Sequence, residues 1–397
     1  MRADGGAHLS YLALLSGWLR LGSGEAWLRS LSVVFAVLSV ALLFRLARDL
    51  FGVKVALTAS LLLAVNPYFL NFARQARGYT MLTAAMIASA SCVASAATLS
   101  SSPRRPLRWA AVWAVVGLYT HVSGALVVLA LVLSTGLAPR GVIQRREARR
   151  IVAGVSLACL PLGALYLLAG SGGFWWLPDA SARQVFATAF RLAGGRGTLP
   201  GLLVLILALA GSIVALHTVL KNGRSTESWR TGLPLIWAGV PVGVLLGYST
   251  VRPMFATRYL VATLPAVCLL AAVGLACVSA RLLPALLPAT VLTLVVFFSL
   301  PRVTAVVRAP GSEDWRGTAR TILERSEPDV GVIFGVPPMR EPFFYHARAL
   351  AAGRPLPDVL VPRHGWLEET QVPRLTSAPF DGTRVPSWYL PYEGLDM

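Results

Sequence analysis

Asn66-Pro67-Tyr68-Phe69-Leu70-Asn71-Phe72-Ala73-Arg74-Gln75-Ala76-Arg77-Gly78-Tyr79 sets two arginines in a chain that is apolar on both sides of them. An arginine at the edge of a membrane span is costly to place and is usually kept for a function. The composition shows that membrane spans are what this stretch joins. Hydrophobic residues make up 55% of the 397-residue chain and charged residues 14%, far from a soluble globular profile. The net charge of +18 is unevenly held, because residues 1–300 carry 25 Lys and Arg against six acids while residues 301–397 carry 11 against 12. Basic loops between apolar spans are what orientation by the positive-inside rule requires, so the charge gives no ground for a nucleic-acid partner.

Spans of roughly 20 apolar residues fit near 31–46, 53–72, 79–99, 109–120, 122–137, 151–169, 199–220, 232–250, 259–280 and 284–300, about ten transmembrane helices in all. The loops alternate in charge. Arg45/Arg48/Lys54, Arg104/Arg105/Arg108, Arg140/Arg145/Arg146/Arg149/Arg150, Lys221/Arg224/Arg230 and Arg281 fall on one side, which the rule assigns to the cytoplasm. The N-terminus, Arg74/Arg77, His121, Trp175/Trp176, Arg252/Arg258 and the tail then lie outside. The pair at 109–137 is short for two full crossings and reads as a re-entrant or half-helix hairpin with His121 at its apex.

The run Leu9 to Leu19 lacks a small-x-small cleavage site and reads as a helix in the membrane interface. Cys92, Cys159, Cys268 and Cys277 sit within apolar spans, and neither they nor the five histidines have the spacing of a disulfide framework or a metal centre. After Pro301 the pattern changes. A helix from Glu313-Asp314-Trp315-Arg316 to about Glu327 and a short buried strand over Asp329 to Gly335 predict a small extracytoplasmic α/β domain at 301–397, following a transmembrane domain at 1–300. The expected fold class is therefore an all-α polytopic membrane protein with a small C-terminal α/β domain.

Several stretches resemble a known family. His8-Leu9-Ser10-Tyr11-Leu12 with Leu28-Arg29-Ser30-Leu31-Ser32, Asn66-Pro67 through Ala73-Arg74-Gln75-Ala76-Arg77-Gly78-Tyr79, Tyr119-Thr120-His121-Val122-Ser123, Trp176-Leu177-Pro178, Pro253 through Arg258-Tyr259, and Glu313-Asp314-Trp315-Arg316-Gly317 follow one another. This order is similar to that of the C superfamily of glycosyltransferases, in the branch related to dolichyl-phosphate-mannose–protein mannosyltransferases and aminoarabinose transferases. The resemblance implies a polyprenyl-phosphate-linked sugar as donor, a protein, lipid or glycan acceptor, and a place in a bacterial plasma membrane. Family members begin with one more helix and an outer Asp-Glu pair whose Asp is taken as the catalytic base. This chain starts after that point, which implies a late recorded start or a truncated relative.

A sugar phosphate donor leaves negative charge on phosphate oxygens, and arginine suits that task. Arg74 and Arg77, at i and i+3, share a helix face if the span continues through them, and with Arg258 they either clamp one phosphate or anchor to headgroups. Tyr79 and Tyr259 either hydrogen-bond the same group or sit in the aromatic belt. Transfer to a hydroxyl also needs a base. Among the acids placed outside, Asp4 is the candidate, Glu25 reads as a helix start and Asp179 as a cap for the stretch at 181–193. His121 contacts donor or acceptor, or bonds a backbone carbonyl. Trp175 and Trp176 stack on a sugar or anchor in the interface. No acidic cluster suggests a divalent ion, and a lipid-phosphate donor needs no metal or other cofactor. The expected function is inverting transfer of a sugar to an extracytoplasmic acceptor; the alternative is a degenerate relative or a scaffold or transporter of lipid-linked sugars.

Overall fold

The computed structural model describes residues 8–98, 103–142, 145–169, 180–195, 198–252, 254–281, 286–308, 314–325, 331–334, 340–351, 353, 356, 358–360 and 387–390. The chain forms two compact units, Met1–Arg308 and Ala309–Met397. The first unit is helical. It runs α1 (Leu9–Trp18), α2 (Glu25–Phe51), α3 (Val53–Ala64), α4 (Pro67–Ala73), α5 (Tyr79–Thr98), α6 (Arg104–Thr120) and α7 (Gly124–Ser134). It continues through α8 (Arg145–Ala158), α9 (Leu160–Ala169), α10 (Ala182–Leu192), α11 (Leu199–Asn222) and α12 (Thr226–Ser249). A 3₁₀ segment (Thr257–Thr263), α13 (Leu264–Arg281) and α14 (Leu286–Arg308) complete it.

Among the described residues, six helices are long and apolar enough to cross a membrane, and seven if the bent pair α3–α4 counts as one span. About ten were expected. The difference lies in 109–120, 122–137 and 151–169. The first two form α6 and α7, of 17 and 11 residues, which meet at His121. The third is divided at Cys159 between α8 and α9, next to Pro161, whose missing N–H removes a helical hydrogen bond.

The 62° bend between α3 and α4 is written in Asn66-Pro67. Proline disfavours the helical region for the residue before it, and Asn66 is extended (ψ 113°). Its side-chain oxygen accepts the Phe69 N–H at 3.1 Å, so Asn66 caps α4 with Pro67 at its first position. Its amide nitrogen donates to the Leu192 carbonyl at 3.0 Å, which ties the bend to α10.

α5 is the central helix, 83% buried, and its row of alanines lets α2 and α6 approach closely. Elsewhere the surface is apolar. Leu202, Ile206, Leu209, Ile213, Leu216 and Leu220 form one exposed stripe along α11, and only 11% of the span in α14 is buried. Exposed apolar faces of this length suit lipid, and the protein is an integral membrane protein.

The second unit contains α15 (Trp315–Arg325), α16 (Arg340–Leu350) and the strands β1 (Gly331–Phe334), β2 (Asp358–Leu360) and β3 (Ser387–Leu390), parallel in the order β2-β1-β3. Asp314 accepts the Gly317 N–H at the start of α15, and Ala319, Ile322, Val332, Phe343 and Ala347 form the core.

Candidate functional site

The two arginines of the opening stretch do not share a helix face. Helix α4 stops at Ala73, residues 74–78 turn tightly with the Arg77 N–H donating to the Gln75 carbonyl, and α5 starts at Tyr79. Arg74 is half-buried and Arg77 exposed. Burial and then the neighbouring Arg29 guanidinium lower the Arg74 pKa from its usual value, so positive charge is gathered beside this turn. Ser32 holds the turn from α2. Its hydroxyl donates to the Arg77 carbonyl at 3.2 Å and lies 2.7 Å from the Tyr11 hydroxyl, while Thr80 donates to the Ser32 carbonyl. Gly78 is needed for closeness: a Cβ there would lie 2.7 Å from Thr120 Cγ2 and 3.0 Å from both His8 Nδ1 and Tyr11 Cβ.

His121 ends α6 in an extended conformation (φ −164°, ψ 135°) and is 6% exposed. Its Nδ1 accepts the Ser123 N–H at 3.1 Å and lies 2.8 Å from the Ser123 hydroxyl. A backbone N–H only donates, so Nδ1 is unprotonated and the neutral ring carries its proton on Nε2. Burial first, then His8 and Arg258, lower the His121 pKa to about 3, which keeps the ring neutral at physiological pH.

Four rings from distant parts of the sequence surround this imidazole or one another. Ring centroids lie 5.0 Å apart for His8 and His121, 5.2 Å for Tyr79 and His121, 5.8 Å for His121 and Tyr259, and 5.3 Å for His8 and Tyr79. Phe72 backs Tyr79 at 4.6 Å. Tyr79 is buried, which takes it out of a lipid-facing aromatic belt. The Arg258 guanidinium stands 5.4 Å from the centroid of the Tyr259 ring. The segment that carries both is held by Gln184, which donates to the Phe255 carbonyl at 2.9 Å, by the Thr188–Thr257 hydroxyl contact at 2.8 Å, and by Trp237, which donates to the Ala262 carbonyl at 3.0 Å.

The fold thus brings Tyr79, His121, Tyr259 and Arg258 together next to the turn bearing Arg74 and Arg77. Asp4, Trp175, Trp176 and Asp179 lie outside the described residues. The cap of α10 is Ser181, which accepts the Gln184 N–H at 3.2 Å, and Glu25 opens α2 with an ion pair to Arg29 at 2.5 Å. His8 was not singled out by sequence as a site residue. It is the one non-glycine residue with positive φ (66°) among those described, a conformation that costs energy and that clusters at functional sites. Its sequence signal is only that it opens a stretch already similar to the family's. No group of three His, Cys, Asp or Glu among the described residues is placed to hold a metal ion.

Residues 9–167 match the profile of the family described as dolichyl-phosphate-mannose-protein mannosyltransferase. Among solved structures, ArnT from Cupriavidus metallidurans in the apo state has a TM-score of 0.57 at 16% identity, over 88% of this chain and 78% of that one. The two chains share a fold. ArnT bound to undecaprenyl phosphate gives 0.56 at 18% identity, over 87% and 73% of the two chains. The archaeal oligosaccharyltransferase AglB from Archaeoglobus fulgidus, in complex with an inhibitory peptide and a dolichol-phosphate, gives 0.53 at 13% identity over 89% of this chain. The chain spans 56% of that protein's length. No curated protein sequence matches. The glycosyltransferase C resemblance read from the motifs is borne out by the family profile and by the fold.

Proposed function

We propose that this chain is a membrane glycosyltransferase that moves a sugar from a polyprenyl-phosphate carrier to a protein, lipid or glycan acceptor outside the cytoplasm, with inversion at the anomeric carbon. The observation that carries this reading is the convergence of Tyr79, His121, Tyr259 and Arg258 beside the arginine-bearing turn at 74–78. The acceptor oxygen attacks the anomeric carbon opposite the phosphate, the bond from that carbon to the phosphate oxygen breaks, and its electron pair stays on the phosphate. Arg74, Arg77 and Arg258 offset that growing charge. His121, neutral and protonated on Nε2, donates to an oxygen of donor or acceptor without adding a second cation. Tyr79 and Tyr259 shape the wall and orient the phosphate, and Trp175 and Trp176 stack on the sugar. Asp4 takes the acceptor proton. In this reading the membrane is the bacterial plasma membrane, and the second unit, which begins at Ala309 after α14 rather than at Pro301, lies on its outer side.

The test is transfer of radiolabelled sugar from a panel of hexosyl and pentosyl polyprenyl phosphates by membranes containing the inserted chain. The expected result is transfer from at least one donor, lost in Asp4→Asn and reduced about 10- to 100-fold in Arg77→Ala. Absence of transfer from the whole panel by correctly inserted protein would favour the scaffold reading.

A further inference from the structure

The end of α6 opposite His121 carries a second concentration of charge. α6 and α8 run side by side in the same direction. Glu147 pairs with Arg104 at their starting ends, and the Tyr119 hydroxyl donates to the Ala158 carbonyl at 2.8 Å near the other end. Arg105 and Arg108 on α6 and Arg146, Arg149 and Arg150 on α8 are exposed, and among the described residues none has an acidic partner within ion-pair distance. The spacing 146, 149, 150 puts three of them on one helix face. Within a turn or two the surface becomes apolar: Trp109, Val112 and Trp113 are exposed on α6, and Val152 and Leu157 on α8. Tryptophans at that boundary mark the headgroup level of a bilayer.

Orientation by positive charge needs basic residues near the ends of spans but does not need two helices to present them together. Here the single acid of the patch, 12% exposed, is spent on Arg104 and leaves five guanidinium groups facing the headgroup zone. Guanidinium forks match phosphate oxygens in pairs, and the apolar surface beside them matches acyl chains. We propose that the starting ends of α6 and α8 form a binding site for anionic phospholipid headgroups. The occupant is a bilayer lipid, because the arginines stand directly against surface suited to its chains. The site lies roughly 25 Å along α6 from His121 and does not depend on the chemistry proposed there.

Full-length protein purified in detergent is titrated with phosphatidylglycerol and, separately, with phosphatidylcholine, and retained lipid is counted by native mass spectrometry. Wild type is expected to retain phosphatidylglycerol in preference to phosphatidylcholine. Each arginine removed from R105Q/R108Q/R149Q/R150Q is expected to weaken retention about five-fold. Raising salt from about 50 to about 500 mM should release the lipid from wild type. Equal retention of the two lipids, or equal retention by wild type and variant, overturns the proposal. Displacement by inorganic phosphate at matching concentration also overturns it, by making the site one for free phosphate. If the quadruple variant does not insert, R105Q and R150Q singly and the wild-type lipid comparison decide on the same terms.

Discussion

Arg77 stands exposed on its turn while Arg74 is sunk beside Arg29, so the two arginines of one motif have different environments. Removing a charge-assisted hydrogen bond costs about 1.5–3 kcal/mol, on the order of 10- to 100-fold in turnover. Arg77→Ala is expected to lose that much transfer, with insertion unchanged by gel filtration of the detergent-solubilised protein. Arg140→Ala, another exposed arginine but across the membrane in the proposed topology, should keep transfer within about two-fold. Equal losses at both positions would sink the phosphate assignment. His121 makes a prediction with a definite sign. Its pKa is about 3 when folded and near 6.5 when unfolded, so the unfolded state takes up the proton first as pH falls. Stability is fully present above pH 6.5 and declines toward pH 3, by about 3 kcal/mol at pH 4. Thermal unfolding of wild type and His121→Gln from pH 7 to pH 4 checks this, and parallel curves would count against a buried neutral ring. The arginines and His121 were legible in the sequence because each interrupts or bounds an apolar run. His8 was not, since its place beside Tyr79 and His121 depends on α1 folding back against α5 and α6, which no periodicity records.

At the scale of elements, boundaries were readable where a side chain enforces them and obscure where packing does. Asn66-Pro67 carries both a cap and a helix-start signal, yet the apolar composition of 53–72 masked it and suggested one span. Residues 109–137 declared their shortness by length alone. The crossing of α11 and α13 had no such signal. A Cβ on Gly211 would lie 1.9 Å from the Leu270 carbonyl oxygen, and one on Gly274 would lie 2.0 Å from the Leu207 carbonyl oxygen. Both obstacles are backbone, so a methyl group can be fitted only by separating the helices. Gly211→Ala is expected to destabilise the protein by about 1–3 kcal/mol. Gly239→Ala, on α12, meets nothing within 4 Å and should be neutral or stabilising by up to about 1 kcal/mol. Thermal midpoints of the two variants in detergent separate these outcomes, and a harmless Gly211→Ala would show that the crossing is looser than its geometry.

The whole molecule has to satisfy two requirements at once: apolar stripes that face lipid, and loops whose charge fixes which way those stripes are threaded. The first was plain in the composition, and the structure adds which faces are lipid-exposed. The second was plain as an alternation of basic and non-basic loops, but the number of crossings was not, because a hydropathy run does not distinguish a full span from the short helices around His121. The orientation itself makes the last prediction. In a background with the four native cysteines replaced by serine or alanine, Arg77→Cys should react with a membrane-impermeant maleimide added to intact cells. Arg140→Cys should react only after the membrane is opened. The two positions are separated by α5, by the α6–α7 hairpin and by the loop to residue 140. Labelling of both from the same side would therefore require α5 and the hairpin to return the chain to the face it left. The arginine turn at 74–78 and the arginines of α6 and α8 would then share one aqueous phase, and a donor site on the membrane face opposite those arginines would be excluded.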